Sequence, residues 1–117
     1  MKGSRGDRRG GRGVLRMDVG AQESQLQNAR AMSEAGRLKE AEAALRALMK
    51  RRAGDAQVYA ELAYVLAMQG QGEQAKFFAD HAATSRDGVA LDTAARTMDV
   101  LGLVGRSLEL YQRALRS

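Results

Sequence analysis

Three glycines, Gly36, Gly70 and Gly102, stand 34 and 32 residues apart, and the same pattern of small and large residues surrounds each of them. Seven residues before each glycine comes Ala29, Ala63 or Ala95, and four before comes Met32, Leu66 or Met98. Five residues after each comes Ala41, Ala75 or Ser107. A fixed period of this length allows few architectures: one helical hairpin per repeat, each leaving an apolar face for its neighbour to cover. The glycine sits where an antiparallel helix pair needs a tight or left-handed turn. The small residues let a facing helix approach closely, and Leu45, Leu48, Leu62, Leu66 and Tyr111 supply apolar bulk at helical spacing.

Composition agrees with helix. The chain of 117 residues has no Pro, is 44% hydrophobic and 28% charged, and is rich in Ala, Leu, Arg, Glu and Gln. Six helices are predicted, over 22–35, 38–52, 56–69, 72–85, 88–101 and 104–116. An unrelated antiparallel bundle, in which small residues merely punctuate turns, is the alternative. It would bring the first and last helices together, whereas a repeat stack joins each helix only to near neighbours.

The middle unit carries the clearest motif. Tyr59, Leu62-Ala63, Leu66, Ala75 and Ala82 resemble the W-x2-L-G-x2-Y and later alanine slots of the 34-residue tetratricopeptide repeat. Its aromatic slot falls on Ala79, just after Phe77 and Phe78, which leaves the register of that helix open to local adjustment. The first unit keeps Ala29, Met32, Ala41 and Leu45 but places Gln25 and Asn28 in the Trp and Leu slots. In the third, Leu91, Ala94-Ala95, Met98, Ser107, Tyr111 and Ala114 follow the pattern, after a loss of two residues near Asp87-Gly88. No unit ends in Pro. The resemblance implies an all-α, right-handed superhelical solenoid of three helix-turn-helix repeats (about 22–55, 56–87 and 88–117), forming a domain over 21–117 behind a basic tail over 1–20.

The first sixteen residues of that tail hold all of the net charge of +5. Residues 1–16 carry six basic groups against Asp7, while residues 17–117 carry 13 basic and 13 acidic groups, so the body is neutral. With five Gly and almost no apolar side chain, the tail is expected to lack fixed structure. Arg9-Gly10-Gly11-Arg12-Gly13 is similar to an RGG-type RNA-binding segment, but no Tyr or Phe interleaves it. A solvated tail is therefore preferred to RNA as partner, and Arg5-Gly6-Asp7 is treated as chance. A start at Met17, where composition changes abruptly, is a third reading of the segment.

Function classes drop out next. No apolar run approaches the length of a membrane span, no h-region follows the basic N-terminus, and no Cys is present, which together fit a cytoplasmic protein without membrane insertion. His81 and Ser85 lie four apart, but no carboxylate is placed to orient the histidine. Gly70-Gln71-Gly72 lacks the Lys-Ser/Thr ending of a phosphate loop, and Asp80, Asp87, Asp92 and Asp99 are dispersed. No catalytic residue, metal or cofactor is expected.

What the resemblance implies instead is protein binding. First helices of successive repeats line a concave groove in that family, which here would present Leu26, Arg30, Ser33, Tyr64, Ala67, Met68, Asp92, Arg96 and Asp99. Tyr64 and Met68, four apart, are the expected apolar anchors, with filling of a gap between repeats the alternative role for Tyr64. Arg30 and Arg96 are expected to flank them and meet acidic partner residues. The family's carboxylate clamp is not matched, its Lys and Asn slots being held by Leu26/Arg30, Ala60/Tyr64 and Asp92/Arg96. The first helix is polar enough to cap the stack. The last, with Leu103, Val104, Leu108, Leu110, Tyr111 and Leu115, is apolar on more than one face and is expected to be covered by a second copy, a partner, or further chain of an enzyme or secretion assembly.

Overall fold

The computed structural model describes the backbone of residues 10–117 and the side chains of residue 20 and residues 23–117. Six α-helices and no strands are found among the described residues: α1 Gly10–Glu34, α2 Leu38–Arg51, α3 Ala56–Met68, α4 Gly72–Ala82, α5 Gly88–Val100 and α6 Val104–Arg116. The expectations placed on residues 1–9 lie outside the described residues. Helix α1 begins at Gly10, inside the segment expected to lack fixed structure, rather than at residue 22. No Pro interrupts that stretch, and each residue added to an existing helix gains a backbone hydrogen bond.

Each hairpin turns the same way. Gly36, Gly70 and Gly102 have φ of 83°, 83° and 79°, the left-handed region that a Cβ disfavours. The residue after each glycine donates its N–H to the carbonyl five residues back, Arg37 to Met32, Gln71 to Leu66 and Leu103 to Met98, which closes each first helix in a Schellman motif. The same three residues then accept from Ala41, Ala75 and Ser107, opening the second helix. The glycines, the residues four before them and those five after them thus do one local job three times.

The connections between hairpins differ. Asp55 N-caps α3, its carboxylate accepting from the Gln57 and Val58 N–H groups, and Asp87 caps α5 through Val89 N–H. Helix α4 ends at Ala82, three residues short of its expected end. There Thr84 Oγ1 donates to the His81 carbonyl and the Ser85 hydroxyl accepts from Asp87 N–H, so local side-chain bonds replace the last helical turn.

Packing follows chain order. Helix α1 packs on α2 and touches α3, α2 packs on α3, α3 on both α4 and α5, α4 on α5, and α5 on α6. Among the described residues neither α1 nor α2 meets α5 or α6, so the ends of the chain do not close into a bundle. Two apolar clusters result, one around Leu26, Leu45, Leu48, Leu62 and Leu66, the other around Ala63, Leu91, Ala95, Met98 and Leu110. Helix α3 serves both, which is why it is apolar nearly all round. Helix α4 runs unbroken, with Ala79 buried, Phe78 wedged against both clusters and Phe77 left 64% exposed. The Phe-Phe pair therefore needs no shift of register.

Candidate functional site

The first helices of the three hairpins, α1, α3 and α5, lie side by side and enclose a cleft of about 320 Å³. Its lining brings together Arg30 and Ser33 of α1, Glu61 and Tyr64 of α3, and Val89, Asp92, Thr93 and Arg96 of α5. Arg30, Tyr64 and Arg96 occupy one register, each a single residue after the small-residue slot at Ala29, Ala63 and Ala95. Repetition of the hairpin carries these three side chains to one surface.

Four of the nine residues expected in the groove are elsewhere. Leu26 is 1% exposed and belongs to the core with Leu45, Leu48 and Leu62, not to the cleft. On so polar a helix it is one of few large apolar side chains, and burying it outweighs presenting it. Met68, 48% exposed, stands one turn beyond Tyr64 near the end of α3 and does not line the cleft. Ala67 is buried, and Asp99 instead accepts from the Tyr111 hydroxyl at 3.4 Å. Burial beside that carboxylate, and the Asp99 charge itself, push the Tyr111 phenol above its ordinary pKa.

The two arginines play unequal parts. Arg30 donates Nε to Glu61 Oε2 and Nη2 to Gln57 Oε1, both at 2.9 Å. Gln57 in turn donates to Asp87 Oδ2 at 2.7 Å. A polar ladder therefore runs from α1 across α3 to the cap of α5. The Gln57 hydrogen bond is the main cause holding the Asp87 carboxyl below its usual range, with the capped backbone N–H groups and Arg30 assisting against partial burial. Arg96 is less tied down: its guanidinium carbon lies 5.4 Å from the Tyr64 ring centre, Nη2 reaches Thr93 Oγ1 at 3.3 Å, and Asp92 is 3.6 Å from Nε. With Glu34, Glu61 and Asp92 beside the two arginines, the lining is of mixed charge rather than a basic patch.

Glu61, Gln57 and Thr93 were not picked out from the sequence, and Asp87 only as one of four dispersed acids. Glu61 and Thr93 share a register in successive repeats, one turn before Tyr64 and Arg96, and both are buried polar residues facing the cleft. An Asp placed immediately before an apolar helical run is a cap signal, so Asp55 and Asp87 were readable as such.

The residues weighed for catalysis are otherwise engaged. His81 packs edge-on against Tyr59, ring centres 4.6 Å apart, while the Ser85 hydroxyl serves Asp87 N–H. No three His, Asp or Glu side chains converge as a metal site among the described residues. None of the described helices is long and apolar enough to cross a membrane. At the far end, Leu103, Val104, Leu108 and Leu115 are exposed, Leu115 by 86%, while Leu110 is buried. No protein-family model matches the chain, and comparison with curated proteins finds no match.

Proposed function

We propose that the chain is a cytoplasmic adaptor built from three tetratricopeptide-like repeats in a right-handed solenoid, which holds a segment of a partner protein in the cleft along α1, α3 and α5 and performs no chemistry itself. The single observation that carries this reading is the convergence of Arg30, Tyr64 and Arg96, one from each hairpin, on one concave surface. Chain-order packing and three equivalent Schellman turns support the repeat assignment.

The cleft suits a peptide better than a small molecule. Tyr64 and Val89 offer modest apolar area, while Ser33, Glu34, Asp92 and Arg96 set polar contacts around it. Because the Arg30–Glu61–Gln57–Asp87 ladder fixes the three helices relative to one another, little ordering cost remains at binding. Arg96 is the more available of the two arginines for an acidic group on the partner.

The test is capture from cell lysate on the immobilised chain beside Tyr64→Glu, with circular dichroism confirming that both are folded. A partner retained by the wild type and lost with the variant supports the cleft. Equal capture by both folded proteins removes it.

A second reading rests on the exposed stripe of Val104, Leu108 and Leu115, which share a face of α6. In it the chain is a regulatory subunit or part of a larger assembly, and self-associates or stacks through its last hairpin. Sedimentation that is monomeric at all concentrations would count against self-association.

A further inference from the structure

At the opposite end of α5 from the Val100 turn, a second cleft of about 270 Å³ is lined by Ser85, Arg86, Leu91, Arg113, Arg116 and Ser117. We infer that this cleft is a binding site for a phosphate monoester, held by Arg86, Arg113 and Arg116. The inference stands independently of the proposed adaptor cleft, with which it shares no residue.

The charge balance is the first reason. Three arginines line this cleft although the body of the chain is neutral, and the lining includes no Asp or Glu side chain, its one carboxylate being the main-chain group of Ser117. None of the three is within ion-pair distance of a carboxylate among the described residues, whereas Arg30, Arg37, Arg46, Arg52, Arg96 and Arg106 all are. Cationic side chains that line one cleft without an Asp or Glu side chain among them favour an anion there.

Preorganisation is the second. Arg113 is held in place by Nη2, which donates to the Ala83 and Ser85 carbonyls at 2.7 and 3.3 Å, so one guanidinium is fixed at the cleft wall by the end of α4. The Ser85 hydroxyl oxygen accepts from Asp87 N–H, which leaves its own hydrogen to donate into the cleft. The Ser117 hydroxyl is spent on the Ala114 carbonyl and contributes no donor.

Size and valence choose the ligand. A phosphate monoester carries close to two negative charges near neutral pH and three strongly accepting oxygens, matching three forked guanidinium groups and a hydroxyl better than a single carboxylate does. Leu91, buried behind the wall, is the one apolar side chain of the lining.

The experiment is a titration of the full chain, followed by amide NMR, with inorganic phosphate at fixed neutral pH and constant ionic strength, then with a phosphoserine peptide and its unphosphorylated twin. The comparison protein is Arg86→Gln/Arg116→Gln, which spares the Arg113 tether. Saturable shifts at Ser85, Arg86 and Arg113, weakened at least roughly tenfold in the double variant, are expected. A phosphopeptide that binds tighter than inorganic phosphate assigns the monoester to a polypeptide; one that binds no tighter assigns it to a small molecule, and both keep the site. Shifts no larger than chloride produces, equal affinity in the folded double variant, or response only to single-stranded RNA would overturn the inference.

Discussion

Arg30 on α1 and Glu61 on α3, thirty-one residues apart in the chain, form an ion pair at 2.9 Å in which the carboxylate is nearly buried and the guanidinium opens onto the cleft. Removing one partner strands the other. Glu61→Ala is therefore expected to cost about 2 kcal/mol, below the usual penalty for a fully buried pair because Arg30 keeps some access to water. Replacing both residues, as Arg30→Met with Glu61→Leu, should restore most of the loss. Urea unfolding of Arg30→Met, of Glu61→Leu and of the double variant measures the coupling, and additive effects would contradict it.

The turn glycines and a helical glycine should respond with opposite signs. Gly70→Ala places a Cβ at φ 83° and is expected to destabilise by about 1 kcal/mol. Gly105, inside α6 with open space where a Cβ would point, should gain about 0.5–1 kcal/mol on substitution by Ala. Chemical denaturation midpoints decide both.

Acid should weaken the link between hairpins two and three. The Asp87 carboxyl titrates lower in the folded chain than in the unfolded one, so its stabilisation is complete above the ordinary carboxylate value of about 4 and is lost as pH falls through the lowered folded value. Asp87→Asn keeps a capping oxygen but removes the charge. Its melting temperature should fall less than that of the wild type between neutral and acidic pH, whereas parallel curves would show that Asp87 does not contribute. Glu42, held low chiefly by the Gln69 hydrogen bond and also by Arg46, adds a loss of the same sign.

How far the chain could be read unaided follows from what each residue's role depends on. Gly36, Gly70 and Gly102 act within a few bonds of their own positions, so spacing alone located all three turns and most helix ends to within three residues. Burial of Ala29, Ala63 and Ala95 follows from the same periodicity. Leu26 was misplaced because periodicity assigns a face without saying which way that face turns, and a polar helix has no broad apolar stripe to orient it. The ladder of Arg30, Glu61, Gln57 and Asp87 was hidden for another reason: each bond joins residues 27–31 apart, across a junction whose helix-to-helix offset no local pattern encodes.

The last hairpin supplies a prediction about association. With Val104, Leu108 and Leu115 exposed along α6, any self-association is expected to depend on that stripe. Leu108→Glu/Leu115→Glu should sediment as a monomer at concentrations where the wild type does not, without loss of helix. Equal sedimentation of associated wild type and variant would move the interface elsewhere.

The most direct measurement on the adaptor reading is photo-cross-linking from single sites within the cleft. A photoreactive residue is placed at Tyr64 or Val89, and at Phe77 of α4, which is exposed outside the cleft. The account predicts one cross-linked partner segment from both cleft positions and none from Phe77. Labelling of that same partner from Phe77 alone, with both cleft positions silent in folded protein, would contradict it.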